Sequence, residues 1–288
     1  MRRMLQQSLL ALSLFLLGVA VAQGQEIPPE HERAGGPYVP TPNLIVDQML
    51  EMAKVTSKDH VIDLGSGDGI IVLTAARRFG SSGYGVDIDP ELVQLSNQRA
   101  RNMGFANRVR FETKDIFKAD VSKATVVTLY LLPTMMRALL PKLFRELQPG
   151  TRIVSHDYHF DSWPHADAVT IDAPEKEMII GIPQAVIYLW VVPAKVGGNW
   201  RLSVEGGDEQ ELALRQNYDG VNGNIARGAT QARFTEMEVS GPEIRFVRDD
   251  GRQKQLFRGR VEGDRMTGTV ELGGGKVARW SAVRSKSS

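Results

Sequence analysis

Residues 60–69 read His-Val-Ile-Asp-Leu-Gly-Ser-Gly-Asp-Gly: a short apolar run, His60–Leu64, ending in an acid and three alternating glycines. The run predicts a strand. The glycines permit a tight turn into a helix over Ile70–Phe79 and let backbone approach a ligand closely. Working outward, Gly83–Ile88 predicts a second strand and Pro90–Met103 a helix opened by Asp89-Pro90. Arg108–Glu112 and Ala124–Leu132 predict two more strands, and Thr134–Leu147 a helix closed by Pro149-Gly150. Thr151–Ser155, Ala168–Ala173 and Ala185–Val192 bring the set to seven, the last two joined by loop residues and suited to an antiparallel edge hairpin. Upstream, Thr41-Pro42 suits an N-cap and first helical residue, and Leu44, Ile45, Gln48, Met49 and Met52 space a helix to about Lys54. Strands alternating with helices predict an α/β fold, a parallel sheet covered by helices on both faces.

After Val196-Gly197-Gly198 the pattern changes. Leu202/Val204, Leu212/Leu214, Ile244/Phe246, Met266/Gly268/Val270/Leu272 and Trp280/Ala282 alternate with polar residues between glycine and aspartate turns. Roughly eight short strands over residues 197–288 predict a small antiparallel β-barrel or sandwich, with Trp200 and Trp280 sealing its core. Arg245, Arg248, Arg252, Arg258 and Arg260 are interleaved with acids, as on a solvated face. At the other end, Arg2 and Arg3 precede an apolar run from Leu9 to Val21, with small residues Ala20-Val21-Ala22 before Gln23. That pattern predicts a signal peptide over 1–22 and export to a bacterial periplasm; the alternative is an uncleaved anchor. Once the signal is removed, no stable membrane span is expected. Residues 23–37 predict a linker, and 38–194 the helix-covered sheet.

The 288 residues carry a net charge of +1 and no cysteine. Thiol chemistry, disulfide staples and cysteine metal sites are therefore excluded, and no basic footprint for nucleic acid is present. Removal of Arg2 and Arg3 with the signal would turn the charge slightly negative.

Asp63 ends the first strand, and Asp87 ends the second, 24 residues later, where an acid can accept from both hydroxyls of a ribose. The spacing is G-x-G-x-G, with Ile70 where a dinucleotide fingerprint needs its third glycine. Asp63 and Asp68 would repel a pyrophosphate and favour a ligand carrying an ammonium and a sulfonium. S-adenosylmethionine has both, a ribose and no phosphate. Asp115 stands where a carboxylate could accept from an adenine amino group, and equally suits a turn cap before Ile116-Phe117.

Residues 38–193 resemble the class I, seven-strand S-adenosylmethionine-dependent methyltransferases. Within that class they resemble the lysine N-methyltransferases that act on the ATP synthase c-subunit and the adenine nucleotide carrier. The resemblance rests on Tyr38-Val39-Pro40-Thr41-Pro42, Asp63–Gly69, Gly85-Val86-Asp87-Ile88-Asp89-Pro90, Asp115-Ile116-Phe117 and Tyr130-Leu131-Leu132-Pro133. It implies that Asp63, Gly65 and Gly67, in the loop closed by Gly69, contact the methionine part of the cofactor. It also implies that Asp87 holds the ribose, Ile88 flanks the adenine, Asp115 and Ile116 read its edge, and Tyr38 and Thr41 close over it.

On the acceptor side, Tyr130 is the candidate catalytic residue, at the sheet end where ligands bind in such folds. The side chains of Leu131 and Leu132 suit core packing, as do Tyr188 and Trp190. His156, Asp157, Tyr158, His159, Trp163 and His165 cluster after the fifth strand. They suit pocket lining or rim, and their spacing matches no strong metal-ligand pattern. The expected reaction is methyl transfer to an amine, first a protein lysine. A small-molecule acceptor and a non-catalytic exported binding protein are the alternatives.

Overall fold

The computed structural model describes residues 38–227, 233–249 and 253–285; the signal peptide and linker expected over 1–37 and Arg252 lie outside them. The first sheet has seven strands: β1 (His60–Leu64), β2 (Ser82–Asp87), β3 (Val109–Thr113), β4 (Val126–Leu129), β5 (Arg152–His156), β6 (Asp167–Asp172) and β7 (Gln184–Val191). Their spatial order is β3-β2-β1-β4-β5-β7-β6. The first five are parallel, and β7 runs antiparallel to both β5 and β6. The helices are α1 (Asn43–Met52), α2 (Ile70–Phe79), α3 (Pro90–Asn102), α4 (Pro133–Glu146) and α5 (Pro174–Ile180).

Strand parity explains the two covered faces. Val61, Val126 and Val154 pack with Ile45, Val46, Met49 and Leu50 of α1, whereas Ile62, Val127 and Ile153 pack with Met136, Leu139, Leu140 and Leu143 of α4. Because both faces are covered, all four residues of β4 are buried, and three of them are apolar, which is why it reads as a nearly continuous run.

Three local expectations are corrected. Thr41 does not cap α1: Pro42 holds the cap position with no side-chain bond, and its carbonyl accepts from Ile45 and Val46. The expected loop between the last two strands contains α5, a seven-residue helix that packs on β7. Arg248, expected on a solvated face, is half-buried in the barrel wall, its Nε buried and unpartnered among the described residues. Arg245, Arg258 and Arg260 do lie exposed, paired with Glu238, Glu271 and Glu243.

The second sheet is a closed antiparallel barrel of β8 (Gly198–Val204), β9 (Gln210–Asn217), β10 (Gly220–Arg227), β11 (Arg233–Ser240), β12 (Glu243–Asp249), β13 (Lys254–Glu262), β14 (Arg265–Glu271) and β15 (Val277–Arg284). β15 pairs back onto β8, so closure removes the sheet edges. Trp200, Phe246, Phe257 and Trp280 are buried inside together with Leu202, Leu212, Met266 and Val270. Phe246 and Phe257 stack at 4.6 Å, and Trp280 meets both edge-on. The Trp280 indole N–H donates to the carbonyls of Arg258 and Thr269 at 3.1 and 3.0 Å. It can lie that close because Gly259, whose Cβ would collide with the indole ring, stands beneath it. Gly259→Ala is expected to displace Trp280 and cost about 1–3 kcal/mol of stability, read as a lowered urea midpoint.

Candidate functional site

The loop between β1 and α2 is held from beneath by β2. The amides of Gly65 and Ser66 both donate to the carbonyl of Val86 at 2.9 Å, and the amide of Gly67 donates to the Asp87 carboxylate at 2.7 Å. The other Asp87 oxygen accepts from the Asp89 amide at 3.0 Å. At Gly67 φ is +50°, and a Cβ would lie 2.5 Å from the Tyr38 ring. Glycine is therefore required there both by conformation and by the approach of Tyr38.

Above this loop opens a cavity of about 760 Å³ at the carboxyl ends of the parallel strands. Tyr38, Thr41, Asp63, Gly65, Gly67, Asp87, Ile88, Asp115, Ile116 and Tyr130 all line it. Gly69 does not line the cavity: it holds the cap position of α2 and lies against Phe111 and Ser96. Asp115 lines the cavity and accepts from the Phe117 amide at 2.9 Å, the bond its turn-cap reading expects. Leu131 is buried as expected, but Leu132 is 42% exposed and lines the cavity wall. The reason is that Leu132 precedes Pro133, the first residue of α4, where the chain turns out of the sheet.

Charge at the site is set by burial and by neighbours. Asp63 is 2% exposed, and burial pushes its carboxyl up to about 7. Thr128, its register partner on β4, donates to it at 2.6 Å and opposes that rise, while Asp87 and Asp68 add to it. Asp68 is paired with Arg99 of α3, whose guanidinium also donates to the Asp68 carbonyl at 3.2 Å. The negative charge expected from Asp68 is thus largely compensated, leaving Asp63 and Asp87 as the principal acids of the cavity floor. Burial and the Asp68 carboxylate push the Tyr38 hydroxyl up to about 12, so it stays protonated. Ser66 also lines the cavity, with its hydroxyl buried and unpartnered among the described residues.

At the opposite wall Tyr130 and Tyr158 face the cavity as a near-parallel pair, centroids 6.4 Å apart and inclined by 19°. Burial, then Asp157 and Tyr158, push the Tyr130 hydroxyl up to about 12. Behind Tyr130, at 4.0 Å between ring centroids, lies His156, which is 1% exposed. Burial pushes its imidazole down to about 4, so the ring is neutral. Asp157 follows at φ +62°; its amide donates to the Val186 carbonyl, and its carboxylate accepts from the Val186 amide and lies 2.6 Å from the Lys176 ammonium. Lys176 is itself buried, so neither partner of this pair could be removed without stranding a charge. His159 and His165 meet Tyr188 at the rim, and Trp163 is buried against Phe160 and Trp190.

Ser66, Thr128, Arg99 and Lys176 were not identified from the sequence. Thr128 sits opposite Asp63 only through the β1–β4 pairing, 65 residues apart, and Arg99 meets Asp68 only because α3 packs beside the loop. Ser66 lies within the glycine loop itself, and its position between Gly65 and Gly67 was the available signal.

A family model described as the ANTKMT methyltransferase domain matches residues 63–167. A protein-lysine N-methyltransferase from Saccharolobus islandicus (strain REY15A) is 38% identical over 157 residues, 54% of this chain and 93% of that protein. A lysine N-methyltransferase of the ATP synthase c-subunit, from Xenopus laevis, is 35% identical over 127 residues. That match covers 44% of this chain and 55% of the Xenopus protein, so the chain spans about half of that relative's length. An RNA methyltransferase from Salinibacter ruber, solved with S-adenosyl-L-homocysteine, is 44% identical, covers 55% of this chain and 96% of its own, and has a TM-score of 0.49.

The raised Asp63 carboxyl has a consequence for stability. Between its unfolded value of 3.8 and about 7, the folded chain holds a proton that the unfolded chain has released. Stability therefore falls as pH rises through that window. Asp63→Asn removes this contribution, so the pH slopes of wild type and variant should differ by about 1.4 kcal/mol per unit between pH 4 and 7. Urea titrations of the ligand-free proteins at several pH values measure that difference.

Proposed function

The chain belongs to the protein-lysine N-methyltransferase family, and from that premise we propose that it transfers a methyl group from S-adenosylmethionine to a lysine side chain of a protein. The observation that carries this reading is the polar floor of the cavity: buried Asp63 and the Asp87 carboxylate at the tip of β2, set around one glycine loop. These groups fit an ammonium and a ribose respectively, two of the polar parts of that cofactor. When bound, S-adenosylmethionine supplies a methyl on a sulfonium, which an amine lone pair takes in an in-line displacement that leaves neutral S-adenosylhomocysteine.

The chain's own part is positioning and desolvation. Ile88 and Ile116 offer apolar surface for an adenine, with Asp115 at its edge, and Tyr38 and Thr41 cover the loop from the N-terminal side. Tyr130 and Tyr158 form the wall that receives the acceptor. With its hydroxyl protonated at neutral pH, Tyr130 can accept a hydrogen bond from an amine N–H and leave the nitrogen lone pair free for attack. Two aromatic faces also favour a cationic side chain entering the wall before it is deprotonated.

Calorimetry with S-adenosylmethionine should detect binding by wild type and a loss of about 100-fold or more for Asp87→Ala, since a charged acceptor of two hydroxyls is removed. Binding should tighten by up to about tenfold per unit as pH rises towards about 7, where Asp63 ionises to meet the ammonium, and level off above it. Binding that ignores Asp87→Ala would overturn the assignment. With methyl-labelled cofactor and separated protein and metabolite fractions, label is expected in protein as methyllysine, and Tyr130→Phe should slow its transfer by about 10–100-fold. Label confined to metabolites would exclude the lysine acceptor.

The export of the mature chain belongs to the same proposal. Amino-terminal sequencing of the full-length expressed protein is expected to begin at Gln23, and an intact Met1 would remove it.

A further inference from the structure

The barrel lies outside residues 63–167, and the Saccharolobus relative is matched over 93% of its length by 157 residues, too few to hold both sheets. What the barrel does for the site is visible at one hairpin. Tyr218, in the turn between β9 and β10, has φ +53°, a left-handed conformation in which glycine or asparagine is the relaxed choice. Its ring leaves the barrel and enters the aromatic layer of the other sheet. It stacks on Trp163 at 5.6 Å and 12°, and meets Phe144 of α4 edge-on at 5.3 Å. The turn is gripped from behind. The Gln216 side-chain amide donates to the carbonyls of Tyr218 and Ala194 at 2.8 Å, and its oxygen accepts from the Val196 and Gly197 amides. One glutamine therefore ties the hairpin tip to the chain that joins the two sheets.

Trp163 belongs to residues 157–166, which carry no helix or strand of their own. They begin at Asp157 in a left-handed conformation, continue to Tyr158 in the cavity wall, and pack on β7 through Phe160, Trp163 and Trp190. The Trp190 indole N–H donates to the Trp163 carbonyl at 3.0 Å. This irregular stretch is therefore held at its start by Lys176 and on its outer side by Tyr218.

We propose that the β9–β10 hairpin is a wedge that sets the 157–166 segment, making Tyr218 a positioning residue for the Tyr130/Tyr158 acceptor wall. The wedge acts on the acceptor side because Tyr218 stacks on Trp163, in the same irregular segment as Tyr158 of the cavity wall, while neither Trp163 nor Phe144 lines the cavity itself. The link from wall to acceptor rests on the methyltransferase reading given above.

The test uses the full chain as Tyr218→Gly and Tyr218→Phe. Glycine suits the left-handed turn, so this variant deletes the ring while relaxing the hairpin, and phenylalanine restores the stack. By hydrogen exchange, Tyr218→Gly should speed exchange across residues 157–166 on the order of tenfold, with β12–β15 and the strands β1–β4 unchanged. S-adenosylhomocysteine affinity should stay within about twofold of wild type while methyl transfer to the protein fraction slows by about tenfold. Tyr218→Phe should return both exchange and rate to wild type. Unchanged exchange in 157–166, faster exchange spread over both sheets, or loss of S-adenosylhomocysteine affinity would each overturn the wedge. Failure of wild type to bind S-adenosylhomocysteine would overturn the cofactor reading instead, and the exchange comparison would still decide the wedge.

Discussion

The Gly67 amide donates to the Asp87 carboxylate over 2.7 Å, and this bond joins the carboxyl ends of two neighbouring parallel strands. With the Gly65 and Ser66 amides bound to Val86, it fixes a loop in which Gly65 and Gly67 present backbone to the cavity. The cavity exists because of that turn, and Tyr38 can lie across it because Gly67 has no Cβ. The same geometry removes Asp63 from water, and a carboxylate denied solvent becomes a group whose charge state answers to what binds above it.

The two acids of the floor differ by environment alone. Asp87 accepts from two backbone amides at the tip of its strand; Asp63 has one hydroxyl donor and a deep burial that favours its neutral form. A cationic ligand group would be met by a carboxyl that ionises to receive it, so binding and proton release are linked. Asp68 takes no such part, since Arg99 already answers its charge and its hydrogen-bonding reach includes Tyr38.

Across the cavity the wall is aromatic. Tyr130 leans on a neutral buried imidazole, and Tyr158 begins a stretch anchored by a buried lysine-aspartate pair and stacked through Trp163 on the barrel. A buried ion pair contributes little net stability, but it gives the loop one arrangement in which no charge is stranded. The barrel interior holds Trp200, Phe246, Phe257 and Trp280, and from its outside the β9–β10 hairpin reaches Trp163.

Period and turn chemistry carried much of this protein. The helix over Ile70–Phe79 and the strand over His60–Leu64 were legible to the residue, because glycines and an amphipathic change of period bound them. The alternation after Gly198 announced antiparallel strands facing one core, and the cavity lining could be read from acids at successive strand ends. The closure of the barrel was not legible, because β15 meets β8 across the whole domain and pairing leaves no local mark. Nor was the short helix α5, whose seven residues are too few for a period. The sequence by itself determined which residues can line the site, since chemistry and local turns are properties of neighbours along the chain. Only the tertiary structure decided their charge states and supports. Thr128 beside Asp63, Arg99 on Asp68 and Tyr218 on Trp163 are contacts between distant segments, and burial is a property of the packed whole.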